Sequence, residues 1–446
     1  MNALAGVGIL RMPAAKPPLA PSLRGLPSAH TGLGECPIII ATLPQSQIGS
    51  EEPICASSLN EGAEGGFAAE STLNANLRGG TSMERKHFKV IGMAIVAAVW
   101  LGLAVSAWCR PADEISRTER RTLAQFPEIT TENLLNGQFV SDFESYTLDQ
   151  FPMRDAFRQL KARVHYNVLC QRDNNGIYLA EGRAAKLEYP LNEGSVDNAL
   201  KVFNSICRRY LQDSNIYLVV VPDKGYYLAT ENGYPAMDYE RLLERMRQGM
   251  PDANYVNLTN CLTVADYYRT DTHWRQEQLL PAARRLCHAM GISEPEGLTA
   301  VAVEAPFYGV YYGQAALPMK PDTLYTLESD LLKDCRVYNY ETGKYGEVYD
   351  ESKLSGGDLY EVFLSGSVSL LTIENPNAQT DRELIIFRDS YGSSLAPLLV
   401  QGYRTVTLVD VRYLSSAMLD RFLNFHGQDV LFLYSTLVLN NSSQLQ

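Results

Sequence analysis

Ile216–Val221 is an unbroken, largely β-branched apolar run that stops at Pro222-Asp223-Lys224. A strand with no polar alternation has to be covered on both faces, as parallel strands between helix layers are. The flanking segments fit that architecture. A helix is predicted over Ser195–Leu211, an amphipathic helix over Tyr239–Met250, a short strand over Tyr255–Leu258, and a helix over Gln276–Met290 with Gly291 as its C-cap. Further on, strands are predicted at Leu384–Phe387, Thr405–Asp410 and Asp429–Tyr434, with helices at Ser394–Gln401 and Ser415–Phe425 between them. Such alternation predicts an α/β fold with a parallel sheet and reactive groups at the carboxyl ends of its strands.

Between these halves, Thr299–Ser369 changes to short Tyr-, Thr- and Val-rich runs broken by Gly, Pro and Asp, which predicts an antiparallel β-rich insertion. Ahead of the sheet, the span Arg117–Tyr166 has helical periodicity in Phe139, Phe143, Tyr146 and Leu148. It resumes in Phe157, Leu160, Val164 and Tyr166 after the break at Phe151-Pro152, so two helices are expected. Asn174-Asn175-Gly176 then turns into a short strand at Ile177–Leu179.

Val90–Trp108 carries no charge over about 19 residues, roughly 28 Å as a helix, which is enough to cross a bilayer core. Arg85, Lys86 and Lys89 precede it and Asp113 and Glu114 follow, so the positive-inside rule places the rest of the chain outside the cytoplasm. Val105-Ser106-Ala107 also has the small residues of a cleavage site, leaving a retained single-pass anchor and a removed signal peptide as alternatives. Trp108 stands where a lipoprotein signal ahead of Cys109 needs a small residue. Residues 1–82 are rich in Gly, Pro, Ser and Ala without apolar periodicity. They are expected to be a disordered extension or an overlong translation, with Met83 opening the targeting segment 83–108 and residues 109–446 forming the exported domain.

The formal net charge of -12 excludes the concentrated basic face that nucleic acid requires. Cys170, Cys207, Cys261, Cys287 and Cys335 are widely spaced with no C-x-x-C pair, so no zinc site is expected. Isolated thiols and one or two disulfides both fit. His165, His288 and His426 stand alone, and no metal or cofactor is expected.

Asp271-Thr272-His273-Trp274 and, further on, Phe387-Arg388-Asp389-Ser390-Tyr391-Gly392 carry the chemistry. An acid two residues before a histidine can orient the imidazole, and a serine on a strand-to-helix turn can be the hydroxyl it activates. The Ser390 N–H and the helix start would face a developing oxyanion. The plainer readings are that Asp389 and Ser390 cap a helix, that Asp271 is an N-cap, and that His273 packs beside Trp274. Lys224 and Tyr226 lie beyond the Ile216–Val221 strand, and with Arg388 and Tyr391 they are candidate substrate-binding residues. As alternatives, the first two are solvent-exposed loop residues and Arg388 pairs locally with Asp389. Tyr308, Tyr311, Tyr312, Tyr340 and Tyr345 could stack on sugar rings or pack within a sheet.

Arg269–Trp274, Asn175–Tyr178, Asp149–Asp155 and Phe387–Tyr391 resemble the DHHW family, itself similar to the SGNH-hydrolase-like domains of the exported alginate O-acetylation proteins. The resemblance covers about residues 115–440. It implies a three-layer SGNH-hydrolase-like fold with a permuted motif order in which Asp and His precede Ser. By that match Asp271 orients, His273 is the base and Ser390 attacks. Thr272 stands where the family name has a second His, as in the alginate-type proteins. The resemblance implies a serine-dependent O-acyltransferase or acetylesterase of cell-surface polysaccharide, working with a membrane-bound acyltransferase. The alternative is a noncatalytic carbohydrate-binding or envelope-assembly protein that keeps the fold.

Overall fold

The computed structural model describes residues 67–116 and 118–446, with side chains from residue 87 onward. The expected extension therefore lies for the most part outside the described residues. Helix α1 (Phe67–Cys109) contains the apolar segment, and its stretch His87–Cys109 is long and apolar enough to cross a membrane and is not buried against the protein. A small hairpin (115–122) follows. Next come α2 (Gln138–Asp149) and α3 (Arg154–Asn167), broken at Phe151-Pro152 as expected, and a three-stranded antiparallel sheet with strands Asp173–Asn174, Ile177–Ala180 and Arg183–Lys186.

The main sheet comprises β1 (Asn215–Val221), β2 (Asn254–Tyr255), β3 (Arg336–Asn339), β4 (Lys344–Gly346), β5 (Leu370–Glu374), β6 (Glu383–Arg388), β7 (Thr405–Val409) and β8 (Asp429–Ser435). Their order is β4-β3-β5-β7-β6-β8-β1-β2. The five strands from β7 to β2 are parallel, and β5, β3 and β4 extend that sheet antiparallel.

Side-chain alternation explains why β1 needs no polar face. Tyr217, Val219 and Val221 enter one core, with residues of the Leu280–Met290 helix and of the 391–402 turns. Ile216, Leu218 and Val220 enter the other, with Val196, Phe203 and Ile206 of Glu193–Tyr210 and Leu242 and Met246 of Tyr239–Gly249. The result is three layers, with helices on both faces of the sheet.

The segment 299–369 is antiparallel and β-rich as expected: its hairpin Thr299–Phe307/Asp322–Glu328 stands alone, while β3 and β4 extend the main sheet. The bridge is β5, which the sequence reading passed over because Leu370–Glu374 directly follows a Ser-Gly-Ser stretch. Ser415–Phe425 is not a helix. Only Ser416–Arg421 turns, as a 3-10 segment with Leu419 its one buried residue and Leu423 and Phe425 half covered beyond it, too little burial to hold a longer helix.

Candidate active site

The strand β6 ends at Arg388, and Ser390 lies just beyond it at the start of the short helix Tyr391–Leu395. Asp389 does the capping there. Its Oδ1 accepts from the Tyr391 N–H (3.0 Å) and its Oδ2 from the Ser435 N–H at the end of β8 (2.8 Å), which ties two strand ends together. Ser390 makes no side-chain cap hydrogen bond, so its hydroxyl is left for another partner. That partner is His273: Nε2 is 2.7 Å from Ser390 Oγ, and Nδ1 is 2.6 Å from Asp271 Oδ1. Asp271 Oδ1 also accepts the His273 backbone N–H (3.0 Å), so one carboxylate oxygen fixes both ends of the residue it orients. With Nδ1–H donating to the acid, Nε2 is free to accept the serine proton.

Asp271 is fully buried, His273 nearly so, and Ser390 partly exposed, so the relay opens outward at the hydroxyl. Burial alone would raise the Asp271 pKa. The charge and hydrogen bonds of His273 and the charge of Arg120 outweigh it and hold the carboxyl well below the usual range.

The loop that presents these groups is built by its neighbours. Tyr267 bridges Trp274, and the Tyr268 N–H donates to the His273 carbonyl (3.1 Å). Asp322, at the start of the second hairpin strand, accepts from the Arg269 N–H (2.9 Å), the Thr270 N–H (2.8 Å) and the Thr270 hydroxyl (2.6 Å). Trp274 is fully buried and donates to Ser394 Oγ (2.8 Å), which links the loop to the helix after Ser390.

Behind Asp271, its second oxygen accepts from the Val310 N–H (2.8 Å) and from Arg120 Nη1 (3.2 Å). Gly309 allows this contact, because a Cβ there would run into the Asp271 side chain and backbone. Arg120 also pairs with Asp358 (2.8 Å) and donates to the Tyr308 carbonyl (2.6 Å). Burial raises the Asp358 pKa, with Arg120 pulling it down and Asp271 pushing it up. The Tyr360 ring stacks on the imidazole at 3.8 Å and 7°, and its hydroxyl meets Ser394 Oγ (2.9 Å). Sequence reasoning did not single out Arg120, Asp358, Tyr360 or Asp322, which come from separate stretches with no motif of their own.

The other sequence candidates are placed as follows. Lys224 is fully buried, with Nζ donating to the Tyr268 (3.0 Å) and Arg269 (3.4 Å) carbonyls and lying 4.9 Å from the Tyr311 ring centre. It braces the histidine loop from below, and burial pulls its ammonium down to about 7. Tyr226 is partly exposed and packs edge-on against Tyr227 and Tyr239. Arg388 points into the core rather than toward Ser390: it is fully buried, donates to the Val368 carbonyl (3.1 Å), and has Asp410 as its acidic neighbour (3.7 Å) instead of Asp389. Tyr391 is buried, donates to the Thr272 carbonyl (2.6 Å), and lies 5.1 Å from the imidazole.

Cys207, Cys261, Cys287 and Cys335 are free thiols, and among the described residues no group of three acidic, His or Cys side chains is set to hold a metal. A cavity of about 710 Å³ beside the 299–328 hairpin is lined by none of the relay residues.

Residues 257–409, which include Asp271, His273 and Ser390, match the family model described as DHHW protein. A crystal structure of a DHHW family protein from Eubacterium siraeum is similar over 61% of this chain and 95% of its own, at 21% identity and a TM-score of 0.51. Bacillus cereus PatB1, solved with a sulfonyl adduct, is similar over 59% of this chain and 95% of its own (16% identity, TM-score 0.46). The O-acetyltransferase domain of Pseudomonas putida AlgJ is similar over 59% and 92% (16% identity, TM-score 0.37). No sequence among curated proteins matches. The resemblance to the DHHW family and the three-layer α/β fold with a parallel sheet expected from the sequence both hold.

Proposed function

We propose that this DHHW-like chain is an exported serine-dependent O-acyltransferase or acetylesterase acting on a cell-surface polysaccharide. The observation that carries the reading is the continuous relay from Asp271 through His273 to Ser390, with both hydrogen bonds of the imidazole inside 2.8 Å. Ser390 Oγ attacks the acyl carbonyl carbon while His273 Nε2 takes its proton. The negative charge of the tetrahedral intermediate falls near the Ser390 N–H, which has no hydrogen-bond partner among the described residues. His273 then returns the proton to the leaving group, and an acyl-serine remains. In the second half His273 deprotonates a sugar hydroxyl for transfer, or water for hydrolysis, and Ser390 is regenerated. Asp271 stays ionised throughout and stabilises the imidazolium.

A sugar acceptor is supported by Tyr308 and Tyr312, whose rings lie 4.6 Å apart next to the Asp271 loop. The Tyr312 N–H bonds the Thr270 carbonyl, and Tyr308 is well exposed. Stretch His87–Cys109 would anchor the domain outside the cytoplasm, or direct its export before cleavage, and the acyl group would come from a membrane-bound acyltransferase.

A fluorophosphonate probe tests the core of the reading. It is expected to add covalently to the wild type and not to Ser390→Ala, with release from p-nitrophenyl acetate following the same pattern. Absence of both from the folded wild type would instead favour a binding protein that has kept the fold. For the biological acceptor, wild-type and Ser390→Ala cells with equal surface-glycan acetyl content would refute the assignment.

A further inference from the structure

Helix α3 turns the wrong face outward for a soluble protein. Met153, Phe157, Leu160, Val164 and Val168 recur every three or four residues through and just around it, and they are 38–70% exposed. At roughly 100° per residue they form one stripe. Its opposite face holds the helix to the domain: Ala162 is the one buried residue, Arg158 donates to the Gly313 carbonyl, and the Tyr166 hydroxyl accepts the Leu179 N–H. Two exposed cations, Lys161 and Arg163, flank the stripe on either side. Exposed apolar residues continue along the chain in Leu134, Leu135, Val140, Leu148 and Leu169. No segment of the described chain covers this surface, which is larger and more regular than scattered surface apolar residues.

We propose that α3 docks on the outer leaflet of the membrane that His87–Cys109 crosses, with its stripe in the acyl-chain boundary and Lys161 and Arg163 at anionic headgroups. Two things on the chain favour a bilayer over another occupant. The surface follows the exposed apolar helix by about 44 residues, through the 115–122 hairpin, a short helix at Thr131–Leu135 and α2, which tethers it to the same membrane. A cation on each edge of an apolar stripe is also the arrangement by which an interfacial helix places its charges in the headgroup layer. The proposal rests on the reading of His87–Cys109 as a retained span. It says nothing of the relay, so neither stands or falls with the other.

The full chain, reconstituted in vesicles of phosphatidylcholine with a minority of phosphatidylglycerol, allows the test. Phosphatidylcholine brominated high on its acyl chains quenches tryptophan at interfacial depth. Native Trp100 and Trp108 report whether the span is inserted, and a tryptophan added by Leu160→Trp reports on α3. The added fluorescence is expected to be lost in brominated vesicles as that of the span is, and to be restored when Phe157→Glu is combined with it. Tyr345→Trp, on the edge strand β4, is expected to add fluorescence that bromine leaves intact. Val168→Trp serves as a second reporter if Leu160→Trp expresses poorly. Quenching of the span with an unquenched, water-like residue-160 signal would overturn the proposal. An unquenched but blue-shifted signal would overturn it in favour of a second copy or another protein on this face.

Discussion

At the residue scale, the hydrogen-bonded row proposed as a relay drew notice in the sequence because its parts carry local signals. Asp271 and His273 are two apart, and Ser390 follows a buried strand directly, so spacing and strand-to-turn pattern named all three. The residues that tune them were not legible. Arg120 meets Asp271 across 151 positions, and nothing in Glu-Arg-Arg-Thr marks one arginine as different from its neighbour. Lys224, taken as a candidate contact at the sheet edge, is instead a brace under the loop. Three outcomes follow. Ser390→Ala and His273→Ala should each lower kcat for p-nitrophenyl acetate by about 10^4-fold or more, with the fold intact by circular dichroism. Arg120→Ala removes the cation shared by Asp271 and Asp358, one of the charges that hold the Asp271 carboxyl low, so that carboxyl should move up toward its usual range. The kcat/KM for p-nitrophenyl acetate should fall by about tenfold and be partly restored by Arg120→Lys, which keeps the charge. Lys224 binds its proton less tightly folded than unfolded. From about pH 7 up to the unfolded value near 10.5 the unfolded chain holds the extra proton, so this group makes stability rise with pH across that window. Lys224→Met should remove that slope, as read by comparing Tm between the two proteins from pH 7 to 10.

At the element scale, strands came through better than helices and loops. Runs such as Val430–Tyr434 leave no choice once both faces must be apolar, whereas Ser415–Phe425 has helical spacing but fully buries only Leu419, with Leu423 and Phe425 half covered. The strand β5 was hidden because its length and its flanking Ser and Gly residues also describe a loop. The loop carrying His273 is fixed by partners distant in sequence, namely Asp322 and the segment beginning at Gly309, which explains why its local sequence says little about its shape. Gly309→Ala should push the loop off Asp271, lowering stability by about 1–3 kcal/mol and kcat by more than that loss explains. Thermal unfolding and steady-state rates measured on one preparation separate the two effects.

At the scale of the whole molecule, the three groups of the proposed relay and the side chains that meet them lie between Arg120 and Ser394. A chain starting at Met83 keeps all of these groups, and its p-nitrophenyl acetate rate should stay within about twofold. The fold class was legible from alternation alone, while the outward face of α3 was not, because periodicity states that a stripe exists and not what covers it. One contact remains to be followed outward. Gly313 packs so closely on the Thr118 carbonyl that a Cβ would collide with it, which pins the strip carrying Arg120 against the centre. With His87–Cys109 proposed as a retained span, a protease cutting ahead of that strip would release a domain that keeps the pairing of Arg120 with Asp271, whereas a cut a few peptide bonds later would release one whose acid has lost its counter-ion.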